Sequence, residues 1–226
     1  MKISIALLLM IFAPSYAIAD MKSADKHYFE GDYELAFEEY STEAEQGILK
    51  AQIRIAKMYL NAIGTIKDLD RAFFWYEKAA DRGSALAQYN VATFYAKGIG
   101  RMQDKDLAFK YYSLSAQQGN VDAQTSLAQA YYSGTITDRN YEEAFHWYQK
   151  AANNGNNIAQ NNMGLLYFQG QGVPKDQKQA YKWFYISGQN GYGLGGKNYR
   201  KLEPLFKYGE ISLMQKEAKQ WLKDNP

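Results

Sequence analysis

Five glycines, Gly47, Gly83, Gly119, Gly155 and Gly191, stand 36 residues apart with no insertion between any pair. Four residues after each of the first four comes an Ala-Gln pair: Ala51-Gln52, Ala87-Gln88, Ala123-Gln124 and Ala159-Gln160. Eight residues beyond each of those alanines stands a tyrosine, Tyr59, Tyr95, Tyr131 or Tyr167. Upstream of each closing glycine lies an alanine, Ala72, Ala108, Ala144 or Ala180. An aromatic pair follows it: Trp75-Tyr76, Tyr111-Tyr112, Trp147-Tyr148 and Trp183-Phe184. A fixed period of about 20 to 50 residues marks one supersecondary unit copied and stacked. The fold question therefore reduces to what one period is.

Each period reads as two helices. Ala51, Ile55, Met58, Tyr59 and Ala62 close one apolar arc at 3.6 residues per turn, and Ala72, Trp75, Tyr76 and Ala79 close a second. Glycine-rich turns join them, Gly98-Ile99-Gly100 in one period and Gly170-Gln171-Gly172-Val173-Pro174 in another. Asp68, Asp104, Asn140 and Asp176 precede the second helices, where their side chains can accept from unpaired first-turn N–H groups. The period glycine suits the left-handed position just past a helix end. Ala56, Ala92, Ala128 and Gly164 are small, leaving room for aromatic rings expected from the next unit. One hairpin cannot bury its aromatic face, so neighbours must supply the core.

The sequence thus predicts an all-α, right-handed α-solenoid of antiparallel helical hairpins. Four units span 48–83, 84–119, 120–155 and 156–191. A capping hairpin is expected over 20–47, with Glu39 in the Trp/Tyr column because no further unit packs outside it. Capping helices are expected over 192–226, where Leu202, Leu205, Phe206, Ile211, Met214, Ala218, Trp221 and Leu222 mark an apolar inner side.

The Ala-Gln pair, small residue, Tyr, Gly-x-Gly-Val-Pro-x-Asp turn, Trp-Tyr/Phe pair and closing Gly together resemble the Sel1-like repeat, a relative of the tetratricopeptide repeat. Residues 156–191 match most fully, with Gly170, Gly172, Val173, Pro174, Lys175 and Asp176 in the turn. The third unit departs most, since Ser133-Gly134-Thr135-Ile136 lacks the second glycine and the proline, and the first has Ala62 for the first turn glycine. The resemblance implies an interaction scaffold whose first helices line the concave side.

Residues 1–19 carry the marks of a secretory signal peptide. Lys2 supplies the positive start, Ile3 to Ala13 the apolar run, and Ala17-Ile18-Ala19 the small residues of a cleavage site before Asp20. The run is too short for a bilayer, which needs roughly 20 residues. The expectation is a cleaved, periplasmic or secreted product with no membrane insertion. It carries no cysteine, so its stability must come from packing rather than disulfides.

Composition narrows the chemistry. The 26 basic and 24 acidic residues leave a formal charge of +2, which argues against a nucleic-acid partner. The absence of cysteine removes thiolate metal sites and a thiol nucleophile, and only two histidines, His27 and His146, remain. His146 falls off the buried arc, and His27 has no Asp, Glu or His at metal-binding spacing. Gly191 to Gly196 match G-x-G-x-x-G, but a helix rather than a strand precedes them, so a loosened fifth unit or hinge is expected there instead of a dinucleotide site. No cofactor, metal or catalytic set is predicted, and the chain is read as a non-enzyme.

What remains is a surface. Opposite the apolar columns of the first helices lie Arg54, Lys57 and Asn61, then Asn90, Thr93 and Lys97, then Ser126, Gln129 and Ser133, and finally Asn162, Leu165 and Gln169. On the concave side they would form one groove, basic near the N-terminal units and amide-rich beyond. Such a lining suits a polar peptide, a protein loop or a glycan. The expected function is an exported protein–protein interaction scaffold or adaptor in envelope assembly or signalling. The alternatives are a secreted host-interaction factor and a cell-wall or β-lactam-processing hydrolase. The hydrolase draws on cysteine-rich relatives that this chain does not match.

Overall fold

The computed structural model describes residues 22–225. The signal-peptide expectation at residues 1–19, and the first two residues of the expected capping hairpin, lie outside them. Among the described residues every regular element is helical, and the helices come as consecutive antiparallel pairs. The N-terminal pair is α1 (Lys22–Glu30) and α2 (Tyr33–Glu45). Four pairs follow: α3 (Leu49–Asn61) with α4 (Leu69–Asp81), and α5 (Ala85–Lys97) with α6 (Lys105–Gln117). Next come α7 (Val121–Ser133) with α8 (Tyr141–Asn153), and α9 (Asn157–Gln169) with α10 (Gln177–Gln189). The chain closes with α11 (Gly193–Leu202), a 3-10 turn (Glu203–Leu205) and α12 (Tyr208–Asp224). From α1 to α11 each helix packs on its neighbours in sequence, and α12 returns to pack on α10, which makes the molecule an α-solenoid with a closing helix.

The expected caps are present. Asp68 and Asp104 accept from the backbone N–H of Arg71 and Leu107, each at 2.9 Å, while Asn140 and Asp176 accept from two N–H groups each. The sequence reading missed a second set: Ser84, Asn120 and Asn156 cap the first helices in the same way. All five period glycines have positive φ, between 81° and 89°.

Two side-chain columns join the units. The buried glutamines reach back across the period glycine, so that Gln52, Gln88, Gln124 and Gln160 donate to the carbonyls of Ala44, Ala80, Ala116 and Ala152 at 3.1–3.3 Å. Each adds a side-chain donor to a carbonyl at the end of the preceding second helix that also accepts from the period-glycine N–H. The second column was not read from the sequence. Phe37, Phe73, Phe109 and Phe145 each meet the tyrosine of the next first helix, Tyr59, Tyr95, Tyr131 and Tyr167, edge to face at 5.1–5.6 Å. Such pairs contribute about 0.5–1.5 kcal/mol beyond area burial.

The small column works differently from expectation. A Cβ on Gly164 would lie 2.5 Å from the Phe184 ring, which belongs to the same hairpin rather than to the next unit. At this hairpin the small residue lets its own two helices close. The turns also vary for a steric reason. A Cβ on Gly172 would strike the Tyr141 carbonyl oxygen at 2.1 Å, so that glycine lets the turn touch the preceding second helix. Ile136 holds the matching position in the third unit and cannot come so close. A cavity of about 520 Å³ opens there beside Lys105, Asp106 and Phe109.

Gly195 and Gly196 sit in α11, preceded by helix α10. The expected loosened unit or hinge is instead a close helix crossing. A Cβ on Gly195 would lie 2.6 Å from Ser187 Oγ, and one on Gly188 would lie 2.9 Å from the Gly196 nitrogen.

Candidate functional site

The first helices α5, α7 and α9 bring part of the predicted lining together. Lys97, Ser126, Gln129 and Asn162 share one shallow cavity of about 340 Å³ with Tyr112, Ile136 and Ile158. Three consecutive units therefore contribute to a single depression. It is lined by a second-helix tyrosine, Tyr112, that the sequence reading assigned to packing alone, and Tyr148 holds the matching position one period on. The Tyr112 hydroxyl lies 3.3 Å from Thr93 Oγ1 and within hydrogen-bonding reach of Ser126. One period on, the Tyr148 hydroxyl donates to Gln129 Oε1 at 2.8 Å, with Asn162 within reach. Each hydroxyl thus links the first helix of its own unit to that of the next.

Burial keeps these phenols protonated. Tyr112 and Tyr148 are 5% and 1% exposed, and desolvation pushes both hydroxyls above the ordinary tyrosine value. Tyr76, in the same column, is pushed up to about 12 by burial. At neutral pH the column therefore offers neutral O–H groups that both donate and accept. A signal for it did exist: Tyr76, Tyr112 and Tyr148 recur every 36 residues, with Phe184 ending the series.

Other members of the predicted set already hold partners within their own helix or the neighbouring first helix. Asn90 Nδ2 donates to the Leu86 carbonyl at 2.8 Å, and Asn61 Nδ2 to the Lys57 carbonyl at 2.9 Å. Ser133 Oγ donates to the Gln129 carbonyl, and Gln169 Oε1 accepts from the Tyr132 hydroxyl at 3.2 Å. Leu165 is half-buried against the core. Lys57 and Lys97 stay exposed.

Arg54 is drawn away from the groove. It lies 3.7 Å from Asp25 and over the Tyr28 ring, and Asp25 also takes an ion pair from Lys50 at 2.7 Å and a hydrogen bond from the Tyr40 hydroxyl at 2.5 Å. The expected basic stretch near the N-terminus is thus partly neutralised by the capping hairpin. Burial alone would raise the Asp25 carboxyl. Hydrogen bonds from Lys50 and Tyr40, with the Lys50 and Arg54 charges, hold it below the ordinary carboxylate value.

The histidines lie apart from this lining. His146 is exposed beside Trp147. His27 has a carboxylate neighbour that spacing did not reveal, because Glu39 reaches it from α2 with Oε2 3.2 Å from Nδ1. Among the described residues no cluster of three or more His, Asp or Glu could hold a metal ion. No helix among them is long and apolar enough to cross a membrane. The cavity is an open, hydrogen-bonding surface with apolar edges, suited to holding a chain rather than enclosing a small molecule.

The Sel1 repeat model matches residues 49–84, 85–120, 121–156 and 157–192. No curated protein matches the chain. Among solved structures, a Sel1 repeat protein from Oxalobacter formigenes is 29% identical, with a TM-score of 0.77 over 88% of this chain and 82% of that one. Two immunity proteins from Pseudomonas aeruginosa share the fold at 20% and 17% identity. Their TM-scores are 0.52 and 0.51, over 90% and 94% of this chain and 88% and 89% of theirs. Sel1 repeat proteins generally act in protein–protein interaction and are typically non-enzymatic. Four contiguous repeat matches, laid over four stacked hairpins with the same internal columns, mean that this chain belongs to the Sel1 repeat family.

Proposed function

We propose that this chain is an exported, non-enzymatic adaptor that holds an extended segment of a partner protein along α5, α7 and α9. The observation that carries the reading is the shared cavity, which Lys97, Ser126, Gln129 and Asn162 from three units line together with Tyr112. An extended peptide offers alternating N–H and C=O groups, which match a lining of hydroxyls and amides able to do both. Ile136 and Ile158 at the edge give apolar side chains somewhere to rest. Lys97 adds a charge that favours a segment with an acidic residue. The export half of the reading rests on the signal-like residues 1–19.

Crosslinking from a photoreactive residue at position 126, followed by mass spectrometry of the captured peptide, tests the groove. The expected result is one partner segment, lost in the pair Lys97→Glu and Asn162→Ala and retained in Lys150→Glu on the other helix set. Capture unaffected by the groove pair, or abolished equally by Lys150→Glu, sinks the reading. Cell fractionation with N-terminal sequencing tests export separately: a mature chain beginning at Asp20 in the periplasm or medium is expected, and an uncleaved cytosolic chain refutes it.

A further inference from the structure

Helix α12 has two unlike faces. Its inner face lies along α10, with Met214 and Ala218 buried and Trp221 packed against Trp183 at 5.2 Å. Lys178 pairs with Glu210 at 2.7 Å and Lys182 with Glu217 at 2.8 Å, so contacts rise together along both helices and the two run parallel. The outer face, on the opposite side of the helix, carries Leu213, Lys216, Gln220 and Lys223, all exposed. Among the described residues none of the helix's three lysines, Lys216, Lys219 and Lys223, has an acidic partner within salt-bridge range.

Helix α2, at the other end of the molecule, shows the reverse charge. It contains five glutamates and no lysine or arginine. Ala36, Tyr40 and Ala44 face inward, and the opposite side presents Leu35, Glu38, Thr42 and Glu45; among the described residues the Glu38 and Glu45 carboxylates have no hydrogen-bond or ion-pair partner. The two outer stripes have the same spacing: leucine, then a charge three residues on, a polar residue four further, and a second charge three beyond that. Leu35 is 51% exposed and Leu213 is 57% exposed, so each stripe also leaves an apolar side chain in water. Moreover, Glu34 and Glu38 occupy the repeat positions that Lys178 and Lys182 hold four periods later. The α10 flank that accepts the acidic inner face of α12 therefore has a charge-inverted counterpart on α2.

We propose that the outer face of α12 docks on the α2 flank of a second copy of this chain. A parallel register sets Leu213 against Leu35, Lys216 against Glu38 and Lys223 against Glu45. The charges supply steering and register, and the leucines leave water. Because the two surfaces differ, the contact is head-to-tail and builds short, concentration-dependent strings unless its rotation closes a ring. This surface is separate from the first-helix groove, so its failure would leave the partner-binding proposal untouched.

Sedimentation velocity of the full chain at low and high salt tests the contact. Association is expected near 50 mM NaCl, with marked weakening near 500 mM, where the Debye length is only about 4–5 Å. The pair K216E and K223E should raise the dissociation constant at least about tenfold, as should E38K and E45K. The four changes combined in one chain should restore association, since every contact is again between opposite charges. A chain that stays monomeric at low salt up to about 200 µM overturns the proposal, because a weaker contact falls outside specific assembly. Association that ignores both charge-reversed pairs, or a quadruple variant that stays monomeric with an unchanged circular dichroism melt, overturns it equally.

Discussion

Ala62 ends α3 with φ of 55°, the one non-glycine at positive φ among the described residues. Its counterparts Gly98, Gly134 and Gly170 do the same job with φ between 64° and 72°. An L-residue in this left-handed region costs roughly 1–2 kcal/mol, because its Cβ crowds the following carbonyl. The Ala62→Gly change should remove that cost while adding some unfolded-state entropy, for a net gain of about 0.5–1 kcal/mol. In a chain of this length that corresponds to roughly one to four degrees in Tm. A thermal melt checks it, with Gly98→Ala as the reverse experiment. An unchanged or lowered melting point in Ala62→Gly would show that the turn, not the residue, carries the strain.

Between hairpins, the glutamine column decides how well one unit sits on the next. Three of the four amide oxygens are also satisfied, since Gln52 accepts from Arg82, Gln88 from Gln118 and Gln160 from Asn190. Gln124 Oε1 has no partner among the described residues, because Asn154 at the matching position turns to the Lys150 carbonyl instead. Gln160→Leu should cost about 1–3 kcal/mol by removing two hydrogen bonds, the one to the Ala152 carbonyl and the one from the Asn190 amide, whereas Asn154→Gln, which can reach as Gln118 does, should gain about 1 kcal/mol. Urea denaturation midpoints at constant slope would read both. The contrast also shows what the sequence could reveal. The period, both helical arcs and the second-helix caps follow from spacing, because helical phase places residues on a face. Which groups meet across two helices depends on crossing geometry, which a single helix's phase does not contain. The Phe–Tyr edge-to-face pairs and the reach of Gln to the preceding carbonyl were invisible for that reason. The groove was legible as a list of polar positions on α5, α7 and α9. Its tyrosine lining was not, since a phenol in an apolar arc looks like core until its hydroxyl is seen to emerge between helices.

A stacked solenoid is nearly one-dimensional, so the end units stand on one neighbour and unfold first. Here the N-terminal hairpin replaces part of that missing neighbour with charge. Asp25 on α1 gathers Tyr40 from α2 and both Lys50 and Arg54 from α3, and Glu39 closes the outer side with Ser23 and His27. The Asp25 carboxyl is held below its ordinary value, so its unfolded-state pKa, about 3.9, lies above the folded one. The stabilisation it supplies is therefore complete above the unfolded value and is lost as pH falls through the folded value. Acid should accordingly release α1 and α2 while α7 to α10 remain protected, because the central hairpins are joined by aromatic and amide contacts that carry no net charge. Hydrogen exchange from pH 5 down to about pH 2, below the unfolded carboxylate value, would follow this helix by helix once intrinsic exchange rates are normalised. The Asp25→Asn chain should show the looser N-terminal hairpin already at neutral pH and little further change on acidification. Uniform loss of protection along the molecule, or an Asp25→Asn chain with the acid response of the parent, would mean that the end unit is held by packing rather than by this charge network.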